Sequence, residues 1–178
     1  MDAAAALFIA KGVEATIVDE IVSAAGVSKG TFYHYFETKA DIVTALRARF
    51  SDAFVASVEA AVQASPDNWD ARMRAWVAGA VDAYLDNFQI HDVVFHDYGP
   101  YDRGSDEMNA ILDRLGGLIS GGIAAGAWAV DDVRLAAIMI FQGMHGAVDD
   151  CIARGSDRTG LADRVSAMVR RLLGPAHC

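Results

Sequence analysis

Residues 26 to 36 read GVSKGTFYHYF, and the first five, Gly26-Val27-Ser28-Lys29-Gly30, match the G-x-S-x-G pattern of a hydrolase nucleophile elbow. That pattern is chemically active only where a buried strand precedes the serine and a helix follows, because the strained turn is what exposes the serine oxygen. Here the preceding segment carries Ile17, Ile21 and Ala24 or Ala25 at helical spacing, so Ser28 follows a helix that Gly26 ends. Its hydroxyl is placed to cap the next helix, Lys29 to Phe36, by accepting a backbone N–H. Ser28 reads as an N-cap and not as a nucleophile.

Outward from this pair, every segment reads as helix and none alternates like a strand. Ala3 to Lys11 is alanine-rich and stops at Gly12. Thr16 with Asp19 is expected to open the second helix, and Thr38 with Asp41 the fourth. In the fourth, Ile42, Leu46, Phe50, Phe54, Val58 and Val62 recur every four residues. Ser65-Pro66 is expected to start a fifth helix reaching about Phe88. An aromatic, histidine-rich section between His91 and Gly104 interrupts the pattern. Helices are then expected from about Asp106 to Ala125, Asp131 to Arg154 and Thr159 to Leu173. Gly116, Gly117, Gly121 and Gly122 each cost ~1 kcal/mol in a helix, which predicts a close approach or a kink there.

The 178 residues, 53% hydrophobic, suffice for one core or one core with a small appended domain. Cys151 and Cys178 lie far apart with no C-x-x-C, which speaks against a disulfide framework or structural zinc and for a reducing, cytoplasmic setting. The longest uncharged stretch, Leu115 to Val130, has 16 residues including five glycines, short of the ~20 apolar residues of a membrane span. A net charge of −9 argues against nucleic acid as partner. The distribution weakens that argument, because five bases and six acids leave residues 1 to 50 near neutral at −1.

Two short helices joined through Ala-Gly-Val form a helix-turn-helix, with Gly26 at the left-handed corner and Val27 expected to plug the interhelical core. The second helix of such motifs enters the major groove. Lys29 and Thr31 suit base edges or phosphates, Tyr33 and His34 suit phosphates, and Phe32 and Phe36 face inward. Lys39 is a phosphate candidate at the next helix start.

The run TIVDEIVSAAGVSKGTFYHYFETKADIV, Thr16 to Val43, closely resembles the DNA-binding domain of the TetR/AcrR transcriptional regulators, in order and spacing over 28 residues. The resemblance implies an all-α fold. Residues 1–46 would be a three-helix DNA-binding domain with the helix-turn-helix, and residues 47–178 a helical effector-binding and dimerisation domain. By position, Thr16, Lys29, Thr31, Tyr33, His34 and Lys39 fall where family members touch DNA, with Ser28 beside them at the cap. The implied protein is not an enzyme and needs no cofactor or metal. It is a homodimer that binds double-stranded DNA at a palindromic operator, as a repressor that a small-molecule effector releases. Family members carry a basic stretch ahead of the segment matching Asp2-Ala3-Ala4; its absence leads us to expect a start lying further upstream.

The expected dimer helices, Asp131 to Arg154 and Thr159 to Leu173, carry apolar residues on broad faces: Leu135, Ile138, Met139, Met144 and Val148 on one, Leu161, Val165, Met168 and Leu172 on the other. Trp76, Tyr84, Phe88, Phe95, Met108, Trp128, Met139, Gln142 and His145 are the expected effector-site residues, since small-molecule sites are mostly apolar with sparse polar anchors. Asp149, one turn after His145, is placed to fix its ring. The surrounding carboxylates favour an uncharged or cationic ligand. Two other functions compete. One is a helical protein-interaction module. The other is a metal-dependent hydrolase using His91, His96 and His145, although His91 and His96 would point about 140° apart on a helix.

Overall fold

The computed structural model describes residues 1–96, except the side chain of His96, and 105–175. Among these residues there are eight α-helices and no strand: α1 (Asp2–Lys11), α2 (Val18–Ala25), α3 (Lys29–Tyr35), α4 (Lys39–Ala64), α5 (Trp69–His91), α6 (Asp106–Ala124), α7 (Val133–Ala153) and α8 (Leu161–Leu173). α5 continues into a π-helical turn, Asp92–His96. The remainder of the section expected to be irregular lies outside the described residues. The fold is all-α, as the helical spacing predicts.

The chain divides into two compact units. One holds Met1–Ala53 and Asn87–Arg103, the other Phe54–Asp86 and Gly104–Cys178. α4 passes from the first to the second at Ala53, and α5 passes back at Asp86. The unit that contains the helix-turn-helix therefore takes in residues on both sides of position 46.

In the first unit Phe8, Val13, Ile21, Val22, Phe32, Ile42, Val43 and Leu46 form one buried cluster, joined by Val93 and Val94 after α5. Gly12 ends α1 with a positive φ of 82°, its N–H donated to the Phe8 carbonyl. α2 starts later than expected. Its N-cap is Ile17, whose amide N–H donates to the Glu20 carboxylate at 3.0 Å. Thr16 is turned inward and fully buried, donating its hydroxyl to the Gly12 carbonyl oxygen at 2.8 Å. The hydroxyl thus satisfies an orphan carbonyl of α1 rather than an amide of α2.

α5 also starts late. Ser65 donates back to the Val62 carbonyl at 2.7 Å and closes α4, while Asn68 accepts the Ala71 N–H at 3.0 Å and caps α5. The Ser-Pro signal is used by the outgoing helix, and the capping role falls to Asn68. The helix then runs past Phe88 to His91. Ser105 and Asp132 cap α6 and α7 through the N–H groups of Met108 and Leu135.

In the second unit α7 packs against α6 and α8. Its buried residues include Val77, Tyr84, Leu115, Ile119, Ile140, Met144, Val148 and Leu173. Two of the four α6 glycines have a packing reason. A Cβ on Gly121 would overlap the Trp69 ring and one on Gly122 the Trp128 ring, so the two indoles, edge-to-face at 6.3 Å, sit where α6 has no side chains. Gly117 is exposed, with no atom near its missing Cβ. We expect Gly122→Ala to lower the thermal unfolding midpoint, at a cost of about 1–3 kcal/mol from overpacking. Gly117→Ala should raise it, by up to ~1 kcal/mol of helix propensity. Equal shifts in a paired thermal melt would refute the close-approach reading of Gly122.

Candidate nucleic-acid interface and small-molecule cavity

α2 stops at Gly26, which adopts the left-handed conformation with φ 65°, while the Val27 N–H reaches back 3.0 Å to the Val22 carbonyl. Val27, expected to plug the interhelical core, is instead 43% exposed; Ile21, Val22 and Phe32 do that packing. Ser28 caps α3 as read from the sequence: its Oγ accepts the Thr31 N–H at 3.0 Å and lies 2.9 Å from the Thr31 hydroxyl. A serine so committed sits between two helices, α2 and α3, and not on the strand-to-helix turn of an elbow.

Phe32 anchors α3 inward, edge-to-face with Tyr33 and tilted against Phe36. At 100° per residue, Gly30 and His34 lie about 160° around the axis from Phe32, with Thr31 and Tyr33 about 100° to either side. These four and Lys29 are exposed. Tyr35, which the sequence reading passed over, is 71% exposed and edge-to-face with His34. Gly30 was also passed over, although its place between Lys29 and Thr31 on the outward face was readable from the helical period. α3 thus presents a small, polar and aromatic convex surface, sized for a groove and rich in donors.

The charges around it are largely committed. Lys29 forms an ion pair with Asp19 at 2.7 Å, and the carboxylate hydrogen bond holds the ammonium above its ordinary pKa. Glu20 is held below the usual carboxylate range, first by the Ile17 N–H and then by Lys11. Because its folded pKa is depressed, stabilisation from this cap is present at neutral pH and is lost as the pH falls through the acidic range. Arg49 pairs with Asp2, and Arg47 donates to the Val94 carbonyl.

Two residues expected at DNA are placed otherwise. Thr16 is buried and can touch nothing outside the domain. Lys39 points its ammonium at three carbonyls of the α1–α2 loop, those of Val13 at 2.8 Å, Glu14 at 3.1 Å and Thr16 at 2.7 Å. An ammonium has three N–H donors, so the set is complete. Nothing in the local sequence marks a partner more than twenty residues away.

The nine residues expected to line an effector site are divided between the two units. Phe88 and Phe95 belong to the first unit and the other seven to the second. Tyr84 is buried and donates its hydroxyl to Asp149 at 2.5 Å, with its ring 4.8 Å from that of His145. His145 Nδ1 lies 3.1 Å from the Phe141 carbonyl oxygen and donates to it. Met108 is half-buried, while Met139 and Gln142 face outward. Trp128 is buried, its indole N–H donated to Asp70 at 3.1 Å.

The second unit has a cavity of about 250 Å³ between α4, α5 and α6. Phe54, Val58, Val62, Trp76, Ile111 and Leu118 make its apolar wall, and the Glu59–Arg114 ion pair lies at its edge. Of the nine, only Trp76 lines it. The four-residue stripe of α4 contained the signal, since Phe54, Val58 and Val62 face the cavity. No group of three or more His, Cys, Asp or Glu is arranged to hold a metal among the described residues. No helix among them is long and apolar enough to cross a membrane.

The chain thus combines a helix-turn-helix in its first unit with a second, helical unit that holds an apolar cavity. Residues 1–46 match the model of the bacterial regulatory proteins of the tetR family. The chain is 38% identical over 90 residues to the transcriptional activator FasR of Mycolicibacterium smegmatis, covering 51% of this chain and 38% of that one. It is 40% identical over 52 residues to the transcriptional repressor KstR2 of Rhodococcus jostii, covering 29% and 26%. The matches thus take in well under half the length of these relatives. The crystal structure of a tetR-family regulatory protein from Rhodococcus RHA1 superposes with a TM-score of 0.79 at 23% identity, over 99% of this chain and 95% of the other. Residues 1–46 thus form a tetR-family domain, and the chain as a whole shares the fold of a solved tetR-family regulatory protein.

Replacing Lys39 should loosen the whole head, because three carbonyls lose a charged donor at once. We expect Lys39→Met to cost about 1.5–3 kcal/mol and Lys39→Arg to restore little, since a planar fork cannot meet three converging oxygens. Chemical denaturation of both variants checks this, and wild-type stability in Lys39→Met would show the clamp to be idle.

Proposed function

We propose that the protein is a cytoplasmic, homodimeric transcriptional repressor that reads a palindromic operator with paired α3 helices and releases it when a small molecule enters the α4–α5–α6 cavity. The observation that carries this reading is the Ser28-capped α3, with Gly30, Thr31, Tyr33 and His34 turned outward from a domain that matches the family model. Two such helices must sit roughly 34 Å apart to enter successive major grooves. In this reading Thr31 specifies sequence, while Tyr33 and Lys29 position the head on phosphates.

Dimerisation is supported by where apolar surface remains. In the second unit, the exposed large hydrophobic residues are Leu135, Ile138 and Met139 on α7 and Met168 and Leu172 on α8, with Met168 62% exposed. Gly143 and Gly146 of α7 have nothing near their missing Cβ atoms, so a second helix can approach that face closely. The apolar cavity suits a largely apolar effector. For a hundredfold loss of operator affinity, that effector must favour the DNA-incompatible state by ~2.7 kcal/mol.

Selecting bound fragments from random duplex DNA tests the central claim: an enriched palindrome supports it, and recovery of no preferred sequence sinks it. Introducing Leu135→Asp with Met168→Asp should give monomers by sedimentation and abolish operator binding. Asp19→Asn should strengthen binding by roughly three- to tenfold at low salt, because it frees Lys29 and removes a charge that repels phosphate, with the gain shrinking as salt rises. An affinity unchanged by Asp19→Asn at every salt concentration would take Lys29 out of the interface.

A further inference from the structure

A second cleft, of about 820 Å³, opens in the second unit where α5, the α6–α7 connection and the end of α8 meet. Its floor is apolar, with Met73, Trp128 and Leu173 buried there. Its rim is not: Arg74 of α5 and the consecutive Arg170 and Arg171 of α8 line it. In the sequence acids outnumber bases 24 to 15, so an arginine finds a carboxylate easily. Elsewhere in the same unit Arg72, Arg114, Arg134 and Arg154 each hold one. Among the described residues, Arg74, Arg170 and Arg171 form no ion pair, and the one hydrogen bond of their guanidinium groups is from Arg171 to the Met168 sulfur at 3.6 Å.

The acids of the cleft do not neutralise this rim. Asp70 and Asp163 also line it, but Asp70 already accepts the Trp128 indole N–H. Three guanidiniums thus stand against two carboxylates, one of them in use. Nor do the arginines serve as caps of α8, whose Leu173 carbonyl is taken by the Ala129 N–H at 3.3 Å. Unpaired guanidiniums above an apolar floor recognise an anion carried on an apolar body, because the fork binds two oxygens at once and the floor excludes water.

We propose that this cleft binds a soluble amphiphilic anion, a carboxylate or phosphate monoester with an aliphatic or aromatic body. The site is separate from the α4–α5–α6 cavity, and its ligand is anionic, whereas the acidic composition favours an uncharged or cationic one. It stands independently of the operator reading, since binding is measured without DNA.

Octyl phosphate, octylammonium and octyl glucoside share a tail and carry an anionic, a cationic and a neutral head, so each is titrated into the full-length protein while the indole N–H resonances are followed. Octyl phosphate should shift the Trp128 signal saturably, inorganic phosphate should compete with it, and the other two should bind at least tenfold more weakly. Arg74→Gln, Arg170→Gln and Arg171→Gln combined should weaken octyl phosphate by about tenfold or more, because the charge-assisted bonds to its head are lost. All three side chains are exposed, so the variant keeps its fold. Equal binding of octylammonium or octyl glucoside would overturn the proposal in favour of apolar binding alone. So would a shift of Trp76 without Trp128, or capture of the protein by phosphatidylglycerol vesicles without any response to octyl phosphate.

Discussion

A helix of seven residues does not persist in water by itself, because nucleation costs more than so few hydrogen bonds return. α3 has that length, and the architecture of the first unit follows from the need to hold it. Ser28 supplies the start, Phe32 the buried anchor and Gly26 the corner that brings α3 against α2. The scaffold behind them is pinned in turn by Lys39, which ties the start of α4 to the loop between α1 and α2 through three carbonyls. The result is a rigid platform for a short element, which is what precise recognition by a few side chains requires.

The same unit shows how an acidic chain keeps a basic surface in reserve. The described bases of the first unit are engaged at home, with Asp2, Asp19 and Glu20 or with backbone carbonyls. Exposed pairs of this kind contribute little to stability and exchange readily. Lys29 can therefore trade Asp19 for a phosphate, whereas Lys39, partly buried and fully satisfied, stays with the fold. Two lysines of similar promise in the sequence have different freedom in the structure.

Punctuation was the most legible part of the sequence. Gly12, Gly26 and Ser28 act where their neighbours place them, because caps and left-handed corners are settled within four residues. Where two nearby groups compete for one role, local reading misassigns it. Glu20 displaces Thr16 at α2, and Asn68 displaces Ser65 at α5. Destinations in space were less readable still. Composition suggested that aromatic and sulfur-bearing residues gather around a ligand, yet Tyr84 packs in the core and Met139 faces outward, and of the nine residues only Trp76 reaches the α4–α5–α6 cavity. Aromatic side chains fill cores as readily as they line sites, and only the packing of three helices distinguishes the two uses.

Gly30 has a consequence for how such a reading head changes over generations. A side chain added there would meet only the Ser28 oxygen, at an ordinary 3.6 Å, and the backbone conformation does not demand glycine. Nearly every substitution is therefore admissible to the fold, and most would even stiffen α3. The position lies at the middle of the outward face, so its identity is policed only by whatever α3 docks against. If α3 reads DNA as proposed, mutation at such a site would alter preference without first destabilising the protein, so that new specificities could arise by drift before selection favours them.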